Sequence, residues 1–164
     1  MESWDRDLRR EVRQSARVAV IGVGNTARGD DAAGALVARM LLAGRVSPPK
    51  TVLILDAGDV PENFTGVIRV FKPDLVVIVD SAWAGRPPGS VFLVDPADVA
   101  EEDISTHRVP LSRLARYVRE TMGSRVLILG IEPSSLEEGA AVVPAVGRAV
   151  KRVAQALRKV LDAE

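Results

Sequence analysis

Apolar and polar positions along the chain form two kinds of pattern, which predict strands and helices. Short apolar runs are typical of strands buried on both faces of a sheet. They lie at residues 17–23, 51–56, 75–80, 91–95 and 125–131. The intervening segments place apolar residues three and four positions apart, which favours helices. These predicted helices lie at residues 3–15, 31–43, 61–72, 110–122 and 141–162.

The order of these segments predicts the topology. Three apolar runs alternate with helices, which is typical of a parallel sheet. The next link, residues 81–90, is short and rich in Pro and Gly. It leaves no room for a helical crossover, so we expect the fourth strand to run antiparallel to the third, at or near an edge. The fold class is therefore α/β, a three-layer α/β/α sandwich around a five-stranded, mixed and mostly parallel sheet. One domain is expected over residues 1–164, with residues 1–16 as an N-terminal helical extension.

Composition narrows the classes of function. The chain has 22 basic and 22 acidic residues, so charge gives no reason to expect nucleic acid or an anionic membrane as a partner. It has no cysteine, which excludes disulfides, thiolate metal sites and thiol nucleophiles. The charged N-terminus is not a signal peptide, and no apolar run approaches the roughly 18–20 residues of a membrane span. We expect a cytoplasmic protein without a membrane or nucleic-acid partner, and favour a monomer.

The sequence GVGNTARGDDAAG, residues 22–34, joins the first predicted strand to the first core helix. A turn of this kind commonly binds phosphate, because the first helical turn offers free N–H groups and a positive dipole end. The glycine spacing is not that of a dinucleotide site, and the P-loop lysine is absent. Asp30 and Asp31 would also repel a pyrophosphate. One aspartate is explained as a helix cap, but a tandem pair exceeds what a cap needs, so a cation fits better.

Three further residues are candidates for the same edge of the sheet. Asp56 and Asp80 end the second and third predicted strands, where ligands collect in parallel sheets, although each is also explained as a turn former. His107 is the only histidine, and the segment before it is long enough to return to that edge. An isolated loop histidine is more often structural or solvated. Two carboxylates and one imidazole would suit nickel, zinc, manganese or iron(II), with coordination positions left open.

Four segments, GVGNTARGDDAAG, VDSAWAGRPPGSV, ISTHRVPL and LGIEP, occur in this order and spacing in the hydrogenase maturation endopeptidases. From residue 18 onward the chain resembles the branch of that family that processes large subunits of group 3 and 4 [NiFe] hydrogenases. The resemblance implies an aspartyl-type endopeptidase that removes the C-terminal extension of the large-subunit precursor after nickel insertion. The nickel is carried by the substrate and is the recognition signal, and other divalent ions can substitute in the isolated protein.

The same resemblance implies three metal-contacting positions, which are Asp31, Asp80 and His107. Asp30 or Asn25 would then brace the loop. The family often has Gly after the two acids, where this chain has Ala32, and no nucleophile is assigned.

Three other functions stay open at this point. One is a nucleotide- or phosphate-binding module without catalysis, which the turn supports and its acids oppose. Another is a stand-alone metallopeptidase with its own tight metal. The third is a serine hydrolase that pairs His107 with Ser81, Ser105 or Ser112, none of which lies in a G-x-S-x-G elbow.

Overall fold

The structure, a computed structural model, describes residues 1–43, 52–94, 96 and 111–163. The strands are β1 (Val18–Gly22), β2 (Val52–Asp56), β3 (Leu75–Ser81), β4 (Val91–Val94) and β5 (Arg125–Ile131). The helices are α1 (Ser3–Arg13), α2 (Ala33–Ala43), α3 (Thr65–Phe71), α4 (Leu111–Met122) and α5 (Pro144–Leu161). Short 3-10 helices, Gly29–Ala32 and Pro61–Phe64, lead directly into α2 and α3.

The five strands form one sheet in the order β2-β1-β3-β5-β4. The first four strands of that order are parallel, whereas β4 is antiparallel to β5 and lies at the edge. The predicted antiparallel direction and edge position of the fourth strand are therefore confirmed. Its neighbour is β5, which lies between β3 and β4 because the chain returns to the middle of the sheet after α4.

Helices cover both faces of the sheet, so the predicted three-layer arrangement is confirmed. One apolar core lies between the sheet and α1, α2 and α5, and includes Val20, Val77 and Leu129. The other lies between the sheet and α3 and α4, and includes Ile21 and Ile78. Successive strand residues alternate between the two cores, because strand side chains point to opposite faces. Within the described ranges, no helix has both the length and the apolar character needed to cross a bilayer.

Helix α1 packs against α5 and β4. The stripe predicted for it, Trp4, Leu8 and Val12, is buried. The predicted face of α5 is buried as well, from Val146 to Leu161.

Three helices begin later than their periodicity predicts, and one of them is α3, where a 3-10 helix over residues 61–64 comes before Thr65. The helix expected from residue 141 begins at Pro144, because the backbone N–H of Val143 is held by the Asp30 carboxylate and proline suits the first helical position. The helix expected from residue 31 is a 3-10 turn until Ala33. The predicted boundaries at residues 51, 95 and 110 lie outside the described residues.

Candidate functional site at the carboxyl edge of the sheet

Glycines bring α2 into close contact with the carboxyl ends of β1 and β3. A Cβ on Gly34 would lie 2.0 Å from the carbonyl oxygen of Val79 and 2.3 Å from that of Val23. A Cβ on Gly22 would lie 2.2 Å from the Gly34 carbonyl oxygen. Side chains at these positions would push the helix away from the sheet. The glycines of the 22–34 loop therefore serve close packing, and this packing brings the start of the helix to the end of β3.

Asp31 lies in the short helical turn before α2 and is 4% exposed. Its Oδ2 accepts the backbone N–H of Asn25 at 3.0 Å, and its Oδ1 accepts the Ser81 hydroxyl at 3.2 Å. A negative charge in the first helical turn is stabilised by the helix dipole. These contacts fix the carboxylate beside the end of β3.

Asp80 and Ser81 are the last two residues of β3, and both are buried. The Asp80 carboxylate is 0% exposed, and its Oδ1 accepts the backbone N–H of Ser81 at 2.8 Å. Because the Ser81 hydroxyl contacts Asp31, one serine connects the two carboxylates through a side-chain bond and a backbone bond. The structure thus brings Asp31 and Asp80 together at the carboxyl end of β3, where both carboxylates contact Ser81.

Asp30 has a different environment from Asp31. It is 0% exposed, and its carboxylate accepts three backbone N–H groups, from Ser134 at 2.8 Å, Ser135 at 3.1 Å and Val143 at 2.9 Å. All three lie in the segment between β5 and α5, so Asp30 braces that segment. The helix-capping interpretation of Asp30 is wrong, since none of these N–H groups belongs to the helix that the residue begins.

The backbone N–H groups of the Gly-rich loop are largely used within the loop and its surroundings. Asn25 donates its N–H to Asp31, and its side-chain Oδ1 accepts the N–H of Ala27 at 2.9 Å. The N–H of Gly24 binds the Gly58 carbonyl at 2.7 Å, and that of Asp30 binds the Ser135 carbonyl at 3.0 Å. A phosphate would need such donors free, so the geometry opposes the phosphate-binding alternative.

The remaining sequence candidates divide into two groups. Asp56 forms an ion pair with Arg39 at 2.8 Å and accepts the N–H of Gly58 at 3.3 Å, which fits its turn-forming interpretation. His107 and Ser105 lie outside the described residues. Among the residues that the structure describes, no group of three or more His, Cys, Asp or Glu side chains is arranged to hold a metal. His107 therefore stays a prediction as the third ligand.

One buried acid at this edge was not singled out from the sequence. Glu132 follows β5 directly, is 2% exposed, and accepts the backbone N–H of Ala84 through Oε2 at 2.7 Å. The sequence does contain a signal for Glu132, because it is an acidic residue at the end of an apolar strand, as Asp56 and Asp80 are.

Comparison with known proteins gives consistent matches to one family. The family model described as HycI, hydrogenase maturation protease, matches residues 37–160. The hydrogenase 3 maturation protease of Escherichia coli is 38% identical over 112 residues, which cover 68% of this chain and 69% of that protein.

Solved structures agree with this match. The crystal structure of a [NiFe] hydrogenase maturation protease HycI from Thermococcus kodakarensis superposes with a TM-score of 0.88 at 34% identity, and covers 96% of this chain and 99% of that one. The solution structure of an endopeptidase HycI from Escherichia coli superposes with a TM-score of 0.76 at 32% identity, over 87% and 90% of the two chains.

Proposed function

The chain belongs to the hydrogenase maturation protease family, and on that premise we propose that it removes the C-terminal extension of a [NiFe]-hydrogenase large-subunit precursor, with the nickel in that precursor as its recognition signal. Relatives with this name are endopeptidases, and the chain is an enzyme of the same class. We propose three things beyond the enzyme class. The substrate is the large-subunit precursor, cleavage requires nickel in that precursor (the nickel gate), and the chain is a cytoplasmic monomer.

The pairing of Asp31 and Asp80 through Ser81 is the observation that carries the proposal. Both carboxylates are buried, and they sit on neighbouring elements at the edge where parallel sheets collect their ligands. Two buried negative charges side by side repel each other, and burial also removes the water that would stabilise them. A divalent cation delivered between them offsets both costs.

The donor types fit nickel. Carboxylate oxygens, with an imidazole as the proposed third ligand at His107, form a set that suits borderline divalent ions. With only three protein ligands, coordination positions stay open for the groups that already hold the ion in the precursor. The nickel is in this view part of the substrate, which the chain recognises and does not retain.

The residues of the chain then have separate roles. Asp31 and Asp80 contact the substrate's nickel, Ser81 and Asn25 orient Asp31, and Asp30 holds the segment after β5 in place. Docking of a nickel-free precursor would leave the repulsion between the two buried carboxylates without a cation to offset it, so the pair contributes nothing favourable to that docking. Docking with nickel also places the extension against the site, and placement of this kind contributes much of the rate in enzymes.

Mass measurement of a processed precursor tests the proposal. A nickel-loaded large-subunit precursor is incubated with the purified chain, and the product is expected to lose one C-terminal peptide. Asp80→Asn is the matched inactive control, because it keeps the shape and removes the charge. A precursor of unchanged mass after incubation with the folded wild-type chain would contradict the proposal. Cleavage of unrelated short peptides would also contradict it, because such activity is expected of a stand-alone metallopeptidase.

A further inference from the structure

Glu132 binds both ends of the β3–β4 loop, which comprises residues 82–90. Its carboxylate accepts the N–H of Ala84 at 2.7 Å, near the start of the loop. Its backbone carbonyl accepts the N–H of Gly89 at 2.8 Å, and its backbone N–H donates to the carbonyl of Ser90 at 2.9 Å, both at the end of the loop. Glu132, which is 2% exposed, thus bonds to both ends of the loop, beside the Ala82 N–H that donates to the Ile131 carbonyl at 3.1 Å.

The β3–β4 loop has further contacts that hold its shape. The Ser90 hydroxyl donates to the Pro87 carbonyl at 2.6 Å. The Arg86 guanidinium lies 4.7 Å from the centre of the Phe92 ring. That ring lies across Gly130, where an added Cβ would meet it at 2.5 Å. These contacts hold the β3–β4 loop against β4 and β5.

The β3–β4 loop lies beside Asp80, where we propose that the substrate's nickel binds. The loop begins immediately after Asp80 and Ser81 at the carboxyl edge of β3. In the register of the sheet, Gly130 pairs with both Asp80 and Phe92, so the ring covers the strand directly beside Asp80. Trp83 keeps 37% of its surface exposed on the same loop. A polypeptide whose nickel lies at Asp80 would have this loop as a direct neighbour.

We propose that Glu132 is a positioning residue, whose buried carboxylate fixes the β3–β4 loop in the shape that receives the precursor polypeptide beside Asp80. This inference rests on the proposed function for its substrate. The Glu132 side chain is buried, and the bond that it accepts from Ala84 holds the exposed start of the loop against the end of β5. A loop ordered before binding does not have to be ordered during binding, and this lowers the cost of association.

The expected kinetic effect is on KM more than on kcat. The loop contacts the polypeptide before and during the reaction alike, and loss of such uniform binding raises KM with kcat unchanged. Glu132→Ala removes the acceptor for Ala84, and Glu132→Asp keeps the charge but is one methylene too short to reach it. Each is expected to raise KM for the nickel-loaded precursor about 2- to 10-fold, from the loss of the hydrogen bond that fixes Ala84. Glu132→Gln keeps an acceptor oxygen and should restore most of the affinity.

Ser124→Ala is the matched control. Ser124 is 4% exposed and donates to the Pro73 carbonyl at 2.7 Å, at the opposite end of β5. It should lower the melting temperature without changing KM. If Ser124→Ala raises KM as much as Glu132→Ala, or if Glu132→Ala and Glu132→Asp leave KM unchanged, the positioning role is overturned.

Fluorescence quenching tests loop position without any precursor. In a Trp4→Phe background Trp83 is the only tryptophan, so acrylamide quenching reports its exposure. Glu132→Ala is expected to increase this quenching, Glu132→Gln to restore it, and Ser124→Ala to leave it unchanged. Equal quenching in all variants would overturn the positioning role. If the variants show these quenching differences but the wild-type chain leaves the nickel-loaded precursor intact, the proposed function is contradicted instead.

Discussion

At the scale of single residues, Asp30 and Asp31 are adjacent in sequence and differ in what surrounds their carboxylates. Asp30 accepts three backbone N–H groups. Asp31 accepts one backbone N–H group and the hydroxyl of Ser81, and lies close to the second acid, Asp80. The charge of Asp30 is therefore well matched by donors, and we expect it to stabilise the fold. The charge of Asp31 lies at the end of β3, where we propose that the substrate's nickel binds.

Asp30→Asn and Asp31→Asn should consequently separate stability from function. An amide at residue 30 turns an N–H group toward backbone N–H donors, so we expect a loss of about 1.5–3 kcal/mol in the free energy of unfolding, the usual value for a hydrogen bond to a charged group. Asp31→Asn also weakens hydrogen bonds, but it removes the repulsion between two neighbouring charges, so we expect it to destabilise the chain less than Asp30→Asn does. Urea unfolding of the two variants measures both values, and the reverse order would contradict these roles.

Precursor processing should depend on both Asp31 and Asp80. Asp31→Asn and Asp80→Asn each remove a charge that the proposed site needs for nickel. We expect each to reduce precursor processing by more than the roughly 10–100-fold that loss of a ligand's hydrogen-bonding partner costs. The rate of product formation is followed by mass spectrometry, with circular dichroism as the control for folding. Wild-type processing by either variant would remove that residue from the site.

Ser81→Ala distinguishes an orienting serine from a nucleophile. If the hydroxyl orients Asp31, its loss should reduce processing by roughly 10–100-fold and leave measurable activity. Ser124→Ala is a suitable control, since that hydroxyl donates to the Pro73 carbonyl at 2.7 Å, at the opposite end of β5. Complete loss of processing in Ser81→Ala, together with inhibition of the wild type by serine-directed reagents, would support the serine-hydrolase alternative.

At the scale of elements, α2 is positioned by glycine. Gly34→Ala places a methyl group against the carbonyl oxygens of Val79 and Val23, which belong to the backbone and cannot move away easily. Overpacking of this kind typically costs about 1–3 kcal/mol. We expect Gly34→Ala to lower the free energy of unfolding by at least that amount and to reduce processing, because Asp31 moves with the helix.

Gly147→Ala is the matched control for this substitution. Gly147 lies in α5, and a Cβ there would meet nothing within 4 Å. Alanine in an open helical position should raise stability by roughly 0.5–1 kcal/mol. Thermal unfolding of both variants checks the pair, and a similar change in both would show that helix propensity, and not contact with the sheet, governs residue 34.

The elements themselves follow closely from local pattern. The five apolar runs become the five strands, and the period of α1 and α5 places their buried faces correctly. The predicted start of a helix is less accurate where a side chain distant in sequence binds the backbone just before it. Nothing local to residues 141–143 shows that Asp30 holds the N–H of Val143. The position of β5 between β3 and β4 depends likewise on tertiary packing.

At the scale of the whole molecule, the loops after β1, β3 and β5 meet at one edge of the sheet and connect to each other through buried acids. Asp30 holds the segment after β5, Asp31 contacts the end of β3 through Ser81, and Glu132 holds the β3–β4 loop. The sequence could predict that Asp31 and Asp80 share this edge, because parallel strands end there together. It could identify Glu132 as an acid at the end of an apolar run, but not the roles of Glu132 and Ser81, which depend on which loop crosses which strand.

The nickel gate is the central proposal, and cleavage of one precursor prepared with nickel, without nickel and with zinc tests it directly. The carboxylate pair should make docking favourable only when the substrate carries a cation, and the family resemblance makes nickel that cation. We expect rapid removal of the C-terminal extension from the nickel-loaded form, little or none from the nickel-free form, and slower removal from the zinc form. Equal cleavage of the nickel-loaded and nickel-free precursors by this chain would contradict the gate and leave a peptidase that recognises the polypeptide alone.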